Sequence, residues 1–90
     1  MSHFSYTPGL VARVRRITGQ LAAVERGLDE SADCAALLQQ VAAIRGAVNG
    51  LMEEILEAHL HEHVAAPELD AESRRKGADE VIAAIRRYAK

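Results

Sequence analysis

The chain has 90 residues, a formal net charge of -2, one cysteine, no tryptophan and 3% aromatic against 49% hydrophobic residues. That length gives one small domain (1–90) with a limited core, for which oligomerisation is a natural remedy, and the alanine-rich composition with little β-branched alternation points to an all-α class. No apolar run approaches the roughly 18 residues that would span a membrane, the start MSHFSYTPG lacks the pattern of a secretory signal, and a lone Cys34 without such a signal indicates a free thiol in a reducing cytoplasm.

Residues 1–6 read as a flexible arm that carries His3; a small residue at position 2, Ser2, favours removal of the initiator Met. Thr7-Pro8 has the form of a helix start, with Thr as the cap and Pro at the first helical position. The first helix then runs to about Leu28, with Leu10, Val14, Ile17, Leu21, Val24 and Leu28 repeating at alternating spacings of four and three. Gly19 is expected to permit close packing and Gly27 to mark fraying. Residues 29–33 form a turn in which Ser31 or Asp33 can cap the next helix.

Cys34–His63 is free of proline and reads as one long helix. Its apolar residues Leu37, Val41, Ile44, Val48, Leu51 and Ile55 form a sustained seam, which calls for a partner helix. Gly46 and Gly50 lie off the face that carries Cys34 and the histidines and are assigned to close packing against the first helix. Cys34 opens the first turn, where the helix dipole favours an anion. At about 100° per residue Cys34, Met52, His59 and His63 share nearly one face, yet Cys34 and His59 stand roughly 37 Å apart along the axis. They cannot meet within one chain. If two copies pair antiparallel and cross near Val48, positions whose numbers sum to about 96 face each other. Cys34 of one copy then faces the interval between His59 and His63 of the other, and a symmetric dimer has two equivalent sites. His61 points about 180° from His59 and is read as solvent-exposed.

Pro67 ends the long helix, and Asp70 or Ser73 starts a third, with Val81, Ile82, Ile85 and Tyr88 as an apolar stripe expected to face the partner chain or a neighbouring dimer. Charge is uneven: residues 1–27 carry +3, residues 51–72 carry -7 and residues 73–90 carry +4. The basic first and last helices hint at an anionic partner, although charge alone favours solvated helix faces.

A Cys/His/His donor set suits borderline ions such as Ni, Co, Zn or Cu. His3, or the freed amine of Ser2, adds the donors that a higher coordination number needs, and mixed nitrogen and sulfur donors at high coordination favour Ni(II) or Co(II). Low-coordinate Cu(I) would prefer a second thiolate, which is absent. No Ser/His/Asp set, phosphate-binding glycine loop or acid–base carboxylate pair is present, so no enzyme is expected. Nor is there a helix-turn-helix signature or zinc-finger spacing, which leaves any DNA contact to basic helix faces.

The segments RVRRITGQLAAVERGL (13–28), CAALLQQVAAIRGAVNGLM (34–52) and EAHLHEH (57–63) resemble the CsoR/RcnR/FrmR family of bacterial repressors. The resemblance covers nearly the whole chain. It implies a three-helix protomer, an antiparallel dimer built as a four-helix bundle, a flat, disc-shaped tetramer, and repression of G-rich operator DNA that is relieved by an inducer. It matches His3, Cys34, His59 and His63 to the ligand positions of the nickel/cobalt-sensing branch, which gives Ni(II) or Co(II) as inducer, with Zn(II) as a further ion. Copper sensors of the family carry a second Cys where this chain has His63. Formaldehyde sensors carry an N-terminal Pro and usually Glu at that position. Formaldehyde acting on Cys34 is therefore the second reading, and a helical metal-binding protein without DNA the third. By the same resemblance Arg13, Arg15 and Arg16 are phosphate contacts, followed by Arg86, Arg87 and Lys90.

Overall fold

A computed structural model describes residues 8–88 and contains three helices: α1 over Pro8–Asp29, α2 over Cys34–His63 and α3 over Ala71–Tyr88. No strand occurs among the described residues, so the all-α expectation holds. None of these helices is long and apolar enough to cross a membrane. The described residues divide into two compact units, one that ends at Glu53 and one that begins at Glu54.

In the first unit, α1 and most of α2 form an antiparallel hairpin. Two contacts fix its direction. Near the turn, a Cβ added at Gly27 would come 2.9 Å from Leu37 Cδ2; far from it, one added at Gly50 would come 2.8 Å from Arg13 Nη1. Gly19 and Gly46 have nothing within 4 Å of such a Cβ. The expected roles are thus partly exchanged: Gly27 and Gly50 are the close approaches, while Gly19 and Gly46 face open space.

The turn between these helices is built by two residues, Ser31 and Asp33. Ser31 adopts the left-handed conformation at φ 56. With it the amides of Ser31 and Ala32 fold back on the carbonyls of Leu28 and Gly27 at 3.4 and 2.8 Å, a Schellman ending that satisfies carbonyls α1 would otherwise leave bare. Asp33 then caps α2: its carboxylate accepts the Ala36 amide at 3.3 Å and its carbonyl the Leu37 amide at 3.1 Å. Of the two candidate caps, Asp33 serves α2 and Ser31 closes α1.

The apolar stripes divide into rows seven residues apart. On α1, Leu10 and Ile17 are buried and Val24 is half-buried, whereas Val14, Leu21 and Leu28 are exposed. On α2, Ile44 is buried and Leu37 and Leu51 are half-buried, whereas Val41, Val48 and Ile55 are exposed. One row serves the hairpin and the other is left in water. A Val or Leu side chain gains about 1.5–3 kcal/mol on full burial, so a hairpin with so many uncovered disfavours the isolated chain.

The second unit holds the last turns of α2, a short connection and α3. The amides of Val64 and Ala65 both donate to the Leu60 carbonyl, at 3.0 and 2.8 Å. Residues 66–69 then turn, closed by the Leu69 amide on the Ala66 carbonyl at 3.3 Å, with Pro67 at the second position where its fixed φ fits. Asp70 caps α3 through the Ser73 amide at 2.7 Å. Within this unit α3 packs against the end of α2 at Gly77, which is buried, as is Val81. The rest of its expected stripe, Ile82, Ile85 and Tyr88, is exposed.

Candidate metal centre

His59 and His63 lie one turn apart in the last turns of α2, with ring centroids 4.8 Å apart and planes tilted by 45°. Their side chains keep only 17% and 24% of their surface exposed, against 73% for His61, which faces outward toward Glu57 as its phase on the helix requires. Two imidazoles at this spacing can serve one ion.

The surroundings of His59 decide which of its nitrogens is available. Its Nε2 lies 3.1 Å from the Gly77 carbonyl and 3.6 Å from Glu80 Oε1. A carbonyl oxygen only accepts, so Nε2 carries the proton, and in the neutral ring Nδ1 keeps the lone pair. A backbone carbonyl that holds the second nitrogen of a ligand histidine fixes both its tautomer and its orientation. Gly77 and Glu80 come from α3 and were not among the residues singled out by sequence. No spacing rule reveals them, because their approach depends on how the connection from Val64 to Asp70 turns.

Cys34 is the first residue of α2, exposed and not in a disulfide. It begins the helix that ends at His63, so the chain presents a thiol and an imidazole pair as separate partial sets. Among the described residues no three His, Cys, Asp or Glu side chains gather into a group that could hold a metal ion. His3, Ser2 and Lys90 lie outside the described residues. Arg15, Arg16, Arg86 and Arg87 are exposed; Arg13 is half-buried with its guanidinium over Gly50.

A family described as metal-sensitive transcriptional repressor matches residues 6–87. The chain belongs to this family. It is therefore a repressor-family protein and not a member of an enzyme family. The transcriptional repressor RcnR of Salmonella paratyphi B is 46% identical over 81 residues, which is 90% of this chain and 89% of that protein. A Glu-to-His variant of the formaldehyde-responsive regulator FrmR from Salmonella enterica serovar Typhimurium superposes with a TM-score of 0.83 at 41% identity, covering 93% of this chain and 99% of that one. The copper-sensing repressor CsoR with Cu(I) from Geobacillus thermodenitrificans reaches a TM-score of 0.84 at 25% identity, covering 99% and 96%. The resemblance to the CsoR/RcnR/FrmR family is thus sustained in sequence and in fold. Repression by such a protein entails DNA binding, and the donors present in this repressor, one thiol and two imidazoles, fit a borderline metal ion.

Proposed function

We propose that this protein is a metal-responsive repressor of the cytoplasm that holds operator DNA when metal-free and releases it when Ni(II) or Co(II) binds, derepressing a metal efflux gene. The observation that carries the reading is the His59–His63 pair, part-buried and with His59 Nε2 within 3.1 Å of the Gly77 carbonyl. The exposed Cys34 and the RcnR relative support it. The whole chain acts as one module whose sites are shared between copies. Cys34 of one copy would hold the ion together with His59 and His63 of another, and His3 and the Ser2 amine would close the coordination from the arm. When bound, the ion supplies positive charge and a fixed coordination geometry that joins the two copies. His59 contributes Nδ1 and is oriented by Gly77; Cys34 contributes the sulfur. Zn(II) fits the same donors.

The exposed Arg15, Arg16, Arg86 and Arg87, with Arg13 and Lys90, would contact phosphates of a G-rich operator in a homodimer or disc-shaped homotetramer. A second reading, a repressor released by formaldehyde at Cys34, is favoured by the exposed thiol and by the 41%-identical formaldehyde-responsive structure.

A gel shift on the DNA upstream of the gene, with Ni, Co, Zn or formaldehyde added, tests this. The metal-free protein should retard the DNA and Ni(II) or Co(II) should release it. Cys34→Ala should weaken Ni(II) binding by more than about 100-fold, beyond the usual loss of a ligand's supporting partner. His3→Ala reports whether the arm ligates. Absence of any shift would overturn the repressor reading, and release by formaldehyde alone would overturn the metal reading.

A further inference from the structure

Arg74 and Gly77 stand three residues apart on α3 and both engage the end of α2 and its exit. The Arg74 guanidinium donates through Nη1 to the carbonyls of Val64 and Ala66, the latter at 3.3 Å, and through Nη2 to that of Leu69 at 3.0 Å. Its own amide donates to the Asp70 carbonyl at 3.0 Å. One side chain thus gathers three carbonyls of the connection that sets where α3 begins, and a planar fork of donors suits this where a single ammonium does not. A turn further on, Gly77 is buried where α3 meets the last residue of α2. A Cβ there would collide with the His63 carbonyl and would lie 2.9 Å from His63 Cβ. Only with that atom missing can the Gly77 carbonyl come within 3.1 Å of His59 Nε2.

We propose that Arg74 and Gly77 are positioning residues for the histidine pair, Arg74 by fixing the connection and Gly77 by admitting α3 against His63, so that His59 is locked with its proton on Nε2 and Nδ1 presented before any ion arrives. The proposal rests on the reading of His59 and His63 as inducer ligands. It makes ligand preorganisation a property of α3, a helix that supplies neither histidine.

Nitrogen-15 NMR of the imidazoles in the full-length, metal-free protein tests it, because the shifts of Nδ1 and Nε2 report the tautomer directly. Wild-type His59 should show the Nε2–H form alone, beyond the preference for it that a free neutral imidazole already has, with an Nε2 proton that exchanges slowly with water. Arg74→Gln and Gly77→Ala should move His59 toward a mixture of tautomers and weaken Ni(II) binding roughly 10–100-fold, the usual cost of losing a ligand's supporting partner. Arg74→Lys keeps the charge but not the fork, and should restore little. If Gly77→Ala does not fold, Arg74→Gln still decides. A wild-type His59 with no more Nε2–H than a free neutral imidazole, or an Arg74→Gln protein that loses stability while its His59 shifts stay unchanged, would overturn the proposal. The tautomer readout needs no metal. A wild-type protein that shows the bias yet ignores Ni(II) and Co(II) would sink the metal reading and leave the positioning roles standing.

Discussion

Asp70 shows how much one surface carboxylate is asked to hold. The Ser73 backbone amide, and next to it the Ser73 side chain, donate to it and hold its pKa below the ordinary aspartate value, outweighing the opposing effect of desolvation. A carboxyl held low in the folded state contributes stability that is fully present above its unfolded value and is lost as pH falls through the folded one. The cap should therefore be intact at neutral pH and fail only in acid, below the usual aspartate range. Asp70→Asn keeps an acceptor but cannot titrate. The wild type should be the more stable of the two in urea denaturation at pH 7, and the gap should close as pH falls through the acid range. A gap that stays constant with pH would mean that the Ser73 bonds do not act through the charge.

At the scale of the helices, much was legible. Cys34–His63 was expected as one helix and is one, because helix-forming residues run without proline between a cap and a turn. Pro8 opens α1 and Pro67 follows α2, each where a missing amide costs nothing. The phase of the helix also separated His61 from the His59–His63 pair. The glycines were not legible, since a glycine marks a close approach only when the opposite residue is known. Gly27 meets Leu37 while Gly19 meets nothing, and the two look alike in sequence. Arg74, Gly77 and Glu80 escaped for the same reason: their partners lie across a turn whose path periodicity does not encode. The cap of α2 gives a test at this scale. Asp33→Ala removes the acceptor of the Ala36 amide beside Cys34, and should cost about 1 kcal/mol, read as a lower urea midpoint with unchanged slope. Asp33→Asn should recover most of it. Equal midpoints for wild type and Asp33→Ala would show that the turn bearing Cys34 is held by other means.

For the whole molecule the argument turns on what one chain leaves unfinished. The row Val41, Val48, Ile55 is exposed on α2, Val14, Leu21 and Leu28 are exposed on α1, and the row on α2 begins, seven residues before Val41, at Cys34. An apolar row that starts at a candidate ligand gives association and metal binding a common surface. Under the proposed antiparallel pairing, each site takes its thiol from one copy and its imidazoles from the other. Two defective proteins should then repair each other. Cys34→Ala lacks every thiol, and a His59→Ala/His63→Ala chain lacks every imidazole of the pair, so neither alone should bind Ni(II) tightly. Co-refolded in equal amounts, about half of the pairs are mixed, and each mixed pair has one site with both halves intact and one with neither, which restores roughly a quarter of wild-type capacity. The same fraction holds whether pairs remain dimers or assemble further. Titration against a competing chelator measures it. No restoration from a mixture shown by mass spectrometry to contain mixed pairs would rule out sharing between copies, and so would tight binding by either protein alone.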